Sequence, residues 1–144
     1  MKKNRNKVMI YYKTRLKHKA ALQRLALSVL EGEGRKGYLI NIVFCGSDKI
    51  SEMNLKYRKK KGDTDVITFE NEEPIGGDIY ISAGRAKADA AELGISIEHE
   101  ISRLVVHGCL HVCGYTHKLK DKRKLMRARE EKYLNIKGYG TLIS

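Results

Sequence analysis

The sequence predicts an α+β fold, mixed α/β in its connections, with a small sheet packed by helices. Three observations lead there. Runs rich in β-branched residues alternate with helix-period segments in the first half of the chain, and helical patterns dominate the second. The 144 residues, 42% of them hydrophobic, are enough to bury one core without staples. No internal repeat, low-complexity linker or composition break divides them, so residues 1–144 are expected to form a single domain.

The elements follow in order. VMIYY, Val8 to Tyr12, reads as a strand. His18 to Leu30 places Leu22, Leu25, Ala26 and Val29 at helical spacing, and GEGRKG then breaks the helix. Leu39 to Phe44 is a second strand. Ser47 or Asp48 caps a helix to about Arg58, with Ile50, Met53, Asn54 and Tyr57 along one side. After the loop KKKGDTD come two short strands, Val66 to Glu70 and Asp78 to Ser82, separated by ENEEPIGG. Ala83 to Leu93 is an alanine-rich helix ended by Gly94. Ser96 then caps a helix to about Cys113, with Glu98 and Glu100 at its positive end.

The composition narrows the partners. The formal net charge is +12, and the first thirty residues hold no acid beside Lys2, Lys3, Arg5, Lys7, Lys13, Arg15, Lys17, Lys19 and Arg24. Two further basic runs, YRKKK and KLKDKRKLMRAR, lie mid-chain and near the end. Three such runs favour a polyanion partner, with DNA, RNA and anionic membrane all open on charge alone. Aromatics interleaved with the basic runs are sparse, limited to Tyr11, Tyr12 and Tyr57. No apolar run suits a bilayer span, and VMIYY is too short for a signal-peptide core, so a soluble, cytoplasmic protein is expected. An odd count of 3 cysteines argues against a disulfide framework, and Cys45 reads as a small core residue.

The chemistry is concentrated in VVHGCLHVCGYTH, Val105 to His117. On a helix His107 and His111 lie about 40° apart on one face, whereas Cys109 and Cys113 project about 160–200° away. The histidines fall near the Ile97/Leu104 stripe and point toward the protein body. The cysteines cannot share an ion with them, which removes a mixed Cys/His finger. Gly114 can end the helix in a left-handed turn and bring His117 back toward the other two. Three neutral imidazoles suit zinc, or another borderline divalent ion, and leave a fourth position open. The spacing also matches the metzincin pattern, but Gly108 stands where those proteases carry their general-base glutamate. A metallopeptidase is therefore a remote alternative.

HGCLHVCGYTH resembles the His-Gly-x-Leu-His-Leu-x-Gly-Tyr-Asp-His signature of the YbeY family of metal-dependent endoribonucleases. NLKYRKKKGDTDVITF and GGDIYIS are similar to two further blocks of that family, so the resemblance covers roughly residues 38 to 135. It implies a small mixed sheet packed by helices, with a zincin-like site at the end of a core helix where one Zn2+ is held by His107, His111 and His117. It also implies RNA as substrate, the small ribosomal subunit as setting, 16S rRNA 3′-end maturation as role, and ribosome-associated proteins as further partners. By the same match Arg58 is assigned to the phosphate. Its alternative is a helix-terminal arginine that complements the dipole.

Lys59 to Lys61 are read as nonspecific backbone contacts. Asp65 and Asp78 could each orient a ligand histidine, but turn-capping roles are preferred. Ser82 and Asn54 are given no functional role. The chain departs from the family at Thr116, where the family has Asp. That departure bears on turnover more than on metal binding, and it keeps open an RNA-binding ribosome-assembly factor with a mainly structural metal.

Overall fold

The computed structural model describes residues 5–12, 18–62, 64–116 and 119–135. His117 lies outside them, as do Lys2, Lys3, Lys13, Arg15 and Lys17 of the N-terminal basic run.

The elements are β1 (Lys7–Tyr11), α1 (Lys19–Gly32), β2 (Leu39–Cys45), α2 (Ser47–Arg58), β3 (Val66–Glu72), β4 (Ile75–Ser82), α3 (Ala83–Leu93), α4 (Ile97–Val112) and α5 (Lys120–Asn135). The four strands make one mixed sheet in the order β1-β2-β4-β3, as an α+β fold requires. β1 and β4 each run parallel to β2, through crossovers that contain α1 and α2, and β3 returns antiparallel beside β4.

Alternation along β2 sends Ile40, Ile42 and Phe44 into the main core, where Ile79 and Ile81 of β4 join them. Against that face lies α4, flanked by α1, with Leu104, Val105, Val106, Cys109 and Leu110 all fully buried. The opposite face carries α2, whose Ile50 and Met53 pack on Ile67 in a smaller cluster. Cys45 is half-buried beside that second cluster, its thiol 3.8 Å from the Ile81 carbonyl.

The structure departs most from the sequence reading in two places. β4 begins at Ile75, so Gly76 and Gly77 are strand residues. Gly76 has φ 146°, and any Cβ there would run into the Leu39 backbone. Its glycine permits a close strand pairing and does not mark a loop. The other difference is α5. KLKDKRKLMRAR was legible only as a basic run, yet from Lys120 the chain forms a helix that buries Met126, Glu130, Tyr133 and Leu134 at i, i+4, i+7 and i+8.

The Ser96 cap is placed as expected, and Ser82 caps α3 in the same way, but neither Ser47 nor Asp48 caps α2: Gly46 holds the N-cap position, no side chain caps it, and Ser47 and Asp48 already lie inside the helix. Ser82 Oγ accepts from Arg85 N–H at 3.1 Å, and Ser96 Oγ from His99 N–H at 3.1 Å.

Candidate functional site

Helix α4 sets His107 and His111. Their rings stand edge to face with centroids 4.9 Å apart, which is what a spacing of four residues gives on one helical face. Both are half-buried and form one wall of an open cleft of about 570 Å³. Cys109 and Cys113 point elsewhere and are buried and unlinked. Burial pushes both thiols above the ordinary cysteine range, which suits core residues and not metal-binding thiolates.

Past the histidines α4 ends as the glycine suggested. Gly114 takes φ 102°, its N–H donates to His111 O at 2.9 Å, and Tyr115 N–H donates to Leu110 O at 3.0 Å. That pair of bonds is a Schellman turn, which reverses the chain directly before Thr116 and His117.

Gly108 has a packing role. A Cβ there would sit 2.7 Å from Cγ2 and 2.8 Å from Cδ1 of Ile79. The position faces the sheet and not the cleft, so a glutamate at 108 could not serve as a base at this site without repacking the core.

The opposing wall comes from the end of α2 and from β3: Tyr57, Arg58, Lys60, Thr64, Asp65 and the strand Val66 to Phe69. α2 stops at a left-handed Lys59 (φ 57°), Lys60 N–H donates to Asn54 O at 3.2 Å, and Asn54 Nδ2 donates to Gly62 O at 3.0 Å. Asn54 thus fastens the lysine-rich loop back on its own helix. This leaves Arg58 and Lys60 exposed at the cleft that holds His107 and His111. Tyr57 is 55% exposed on the same rim, with its ring edge-on to Phe69 at 5.3 Å.

Behind the histidines lies a charged network. Glu130 of α5, only 8% exposed, stands with Oε2 3.1 Å from His107 Nδ1. Its other oxygen faces Arg103 Nη1 at 3.4 Å. Arg103 also donates twice to Glu100, at 2.8 and 2.9 Å, and lies 3.7 Å from Asp65. Hydrogen bonding to Glu100 holds the Arg103 charge more firmly than usual; burial opposes this, and Glu130 and Asp65 reinforce it. Glu100, 1% exposed, is therefore a buried carboxylate in a two-point ion pair, the arrangement burial of such a charge demands.

A carboxylate on Nδ1 fixes an imidazole's orientation and aims its Nε2 away from that carboxylate, as ligand histidines require. Neither Asp65 nor Asp78 fills that place, which belongs to Glu130. Asp65 pairs with Arg103, and Asp78 accepts from Asn41 Nδ2 at 3.0 Å. Among the described residues Asp65, Asp89 and Glu100 bring carboxylate oxygens within 4.8 Å of one another, but Arg103 pairs with two of them and Arg85 with Asp89. The described side chains that could hold a borderline divalent ion are His107 and His111; His117, the third expected ligand, lies outside the described residues.

The family model described as Endoribonuclease YbeY matches residues 2–138. The chain belongs to the YbeY family. Endoribonuclease YbeY of Aquifex aeolicus (strain VF5) is 32% identical over 143 residues, covering 96% of this chain and 91% of its own. Endoribonuclease YbeY of Endomicrobium trichonymphae is 39% identical over 117 residues, covering 81% of this chain and 82% of its own. The solution structure of TM1509 from Thermotoga maritima superposes with a TM-score of 0.67 at 28% identity, over 88% of this chain and 86% of that one. The mixed sheet packed by helices is thus the expected fold of a YbeY protein. No helix among the described residues is long and apolar enough to cross a membrane.

Proposed function

We propose that the chain is a metal-dependent endoribonuclease of single-strand type, acting in ribosomal RNA processing, 16S rRNA 3′-end maturation and small-subunit biogenesis. The observation that carries this is the cleft in which His107 and His111 face Arg58 and Lys60, in a chain of the YbeY family. His107, His111 and His117 would hold one zinc or similar ion, which when bound supplies Lewis acidity to phosphodiester cleavage.

The chain's own groups do the rest. Glu130 holds the His107 ring by Nδ1, and Arg103 holds Glu130 in turn. Arg58 offers a planar two-point donor to a phosphate lying between the cleft walls, where negative charge grows as the fifth oxygen approaches phosphorus. Lys60 adds charge at the rim. The exposed Tyr57 ring presents a face on which an unpaired base can stack, and a base in a duplex has no such face to offer. The net charge of +12 draws the polyanion to the cleft and makes binding salt-dependent.

An RNA-binding assembly factor is the second reading, favoured by Thr116 in place of the family's Asp. Cleavage of a single-stranded rRNA fragment by zinc-loaded protein separates the two. His111→Ala should abolish cutting with the circular dichroism spectrum unchanged, and Arg58→Ala should lower kcat with the metal retained. Cutting that survives in metal-free His111→Ala protein would discard the nuclease.

A further inference from the structure

A second concavity adjoins the cleft. It lies between α4 and α5, also encloses about 570 Å³, and shares His107 with the first. Its apolar part is Leu93 at the tip of α3, which is 64% exposed, backed by the buried Met126 and Leu134. Its rim carries Arg123 and Arg127, both exposed and one turn apart on α5. Among the described residues neither arginine enters an ion pair. The acids in the walls are Glu130, committed to His107 and Arg103, and Glu131, a turn beyond Arg127.

We propose that this groove is a second binding surface for the same RNA strand, carrying nucleotides that flank the scissile position. The inference rests on the RNA reading above. Two concavities lined in common by His107 place the groove beside the proposed metal site. Exposed arginines beside an apolar contact match a single strand: guanidinium groups pair with successive phosphates, while the exposed Leu93 gives a base an apolar surface to lie against. A membrane surface would need a convex or flat apolar face, and this face is concave. The strand would thus be held on both sides of the cut, by Arg58 and Lys60 on one and by Arg123 and Arg127 on the other. This also gives the basic run in α5, otherwise without a role, a place in substrate selection.

The test uses fluorescently labelled single-stranded oligoribonucleotides of about 4 and about 15 nucleotides, the span of common single-strand sites. Anisotropy titrations at several salt concentrations compare the full chain with its Arg123→Gln/Arg127→Gln variant, both carrying His111→Ala so that the strands stay intact. The proposal expects the long strand to bind the variant roughly tenfold more weakly at about 0.1 M salt, with a log–log salt slope shallower by about 1.4 for two lost phosphate contacts. The short strand should bind both proteins alike. An unchanged affinity and slope for the long strand, where Arg58→Gln weakens both strands, would overturn the groove and leave the RNA reading standing. Failure of the parent chain to bind either strand would overturn both. Unchanged RNA binding with lost affinity for polyglutamate would assign the groove to an acidic protein and also overturn the proposal.

Discussion

Replacing Glu130 by alanine removes the carboxylate that stands 3.1 Å from His107 Nδ1 and 3.4 Å from Arg103 Nη1. The two losses differ in size. Arg103 keeps its two-point contact with Glu100, so its share of the folding stability falls by about 1.5 kcal/mol, the low end for a charged hydrogen bond. His107 loses its Nδ1 partner and with it the fixed ring orientation. Loss of such a partner lowers metal affinity about 10–100-fold, or about 1.4–2.8 kcal/mol. Competition for zinc against a chromophoric chelator reads that change directly, with a urea melt of the metal-free protein as the stability control. Glu130→Gln, which retains an acceptor oxygen without the charge, should fall between wild type and alanine. An alanine variant that binds zinc as tightly as wild type would refute the positioning of His107 by Glu130, whatever happens to activity.

Two other consequences concern the frame that holds the site. Gly108→Ala gains about 1 kcal/mol of helix propensity but forces a methyl group to within 2.7 Å of the β-branched Ile79, at an overpacking cost of about 1–3 kcal/mol. A net loss of stability is expected in thermal melts, and a more stable variant would show that α4 does not press on β4 as described. The second concerns Glu33, which accepts hydrogen bonds from Tyr115 and Tyr133 and so ties α1 to the turn after α4 and to α5. Burial opposes its ionisation, but the two hydroxyls, with Arg129 and Lys132, outweigh burial and hold its carboxyl below the usual value of 4.5. A lowered folded pKa stabilises above the unfolded value, and that contribution disappears as pH falls through the folded one. Wild type should therefore be more stable than Glu33→Gln at neutral pH, with the gap closing below about pH 4. A gap that persists undiminished at pH 2 would contradict this.

What could be read in advance followed strong local signals. The helices from Ala83 and Ser96, the strand from Leu39 and the Ser96 cap were legible because apolar period, a glycine stop and a hydroxyl cap agree there, whereas the cap expected at Ser47 or Asp48 falls one residue earlier, on Gly46. The pairing of His107 with His111 and the exclusion of Cys109 and Cys113 needed only helical rotation. α5 escaped because its apolar stripe is thin: Met126, Tyr133 and Leu134 are buried among many charges, with Glu130 completing the face. The partner of His107 escaped with it, since a carboxylate 23 residues away reaches the ring only once α5 has packed on α4. Glu100 was legible only as an acid at the positive end of its helix, and Arg103 carried no signal of its own. Their burial is a property of the assembled layers, because α4 is covered by the sheet and by α1, α3 and α5. Glycine pointed both ways: Gly114 was correctly read as a stop, whereas Gly76 looked like a loop residue and is a strand residue in close backbone contact.

The central claim is that three histidines at the end of α4 form a metal site. Elemental analysis of tag-free protein, wild type beside His107→Ala/His111→Ala, tests it most directly. The account predicts close to one zinc per chain in wild type and none in the variant, with matching far-ultraviolet dichroism. A wild type that retains no metal after equilibration with zinc, or a variant that retains as much as wild type, would contradict it.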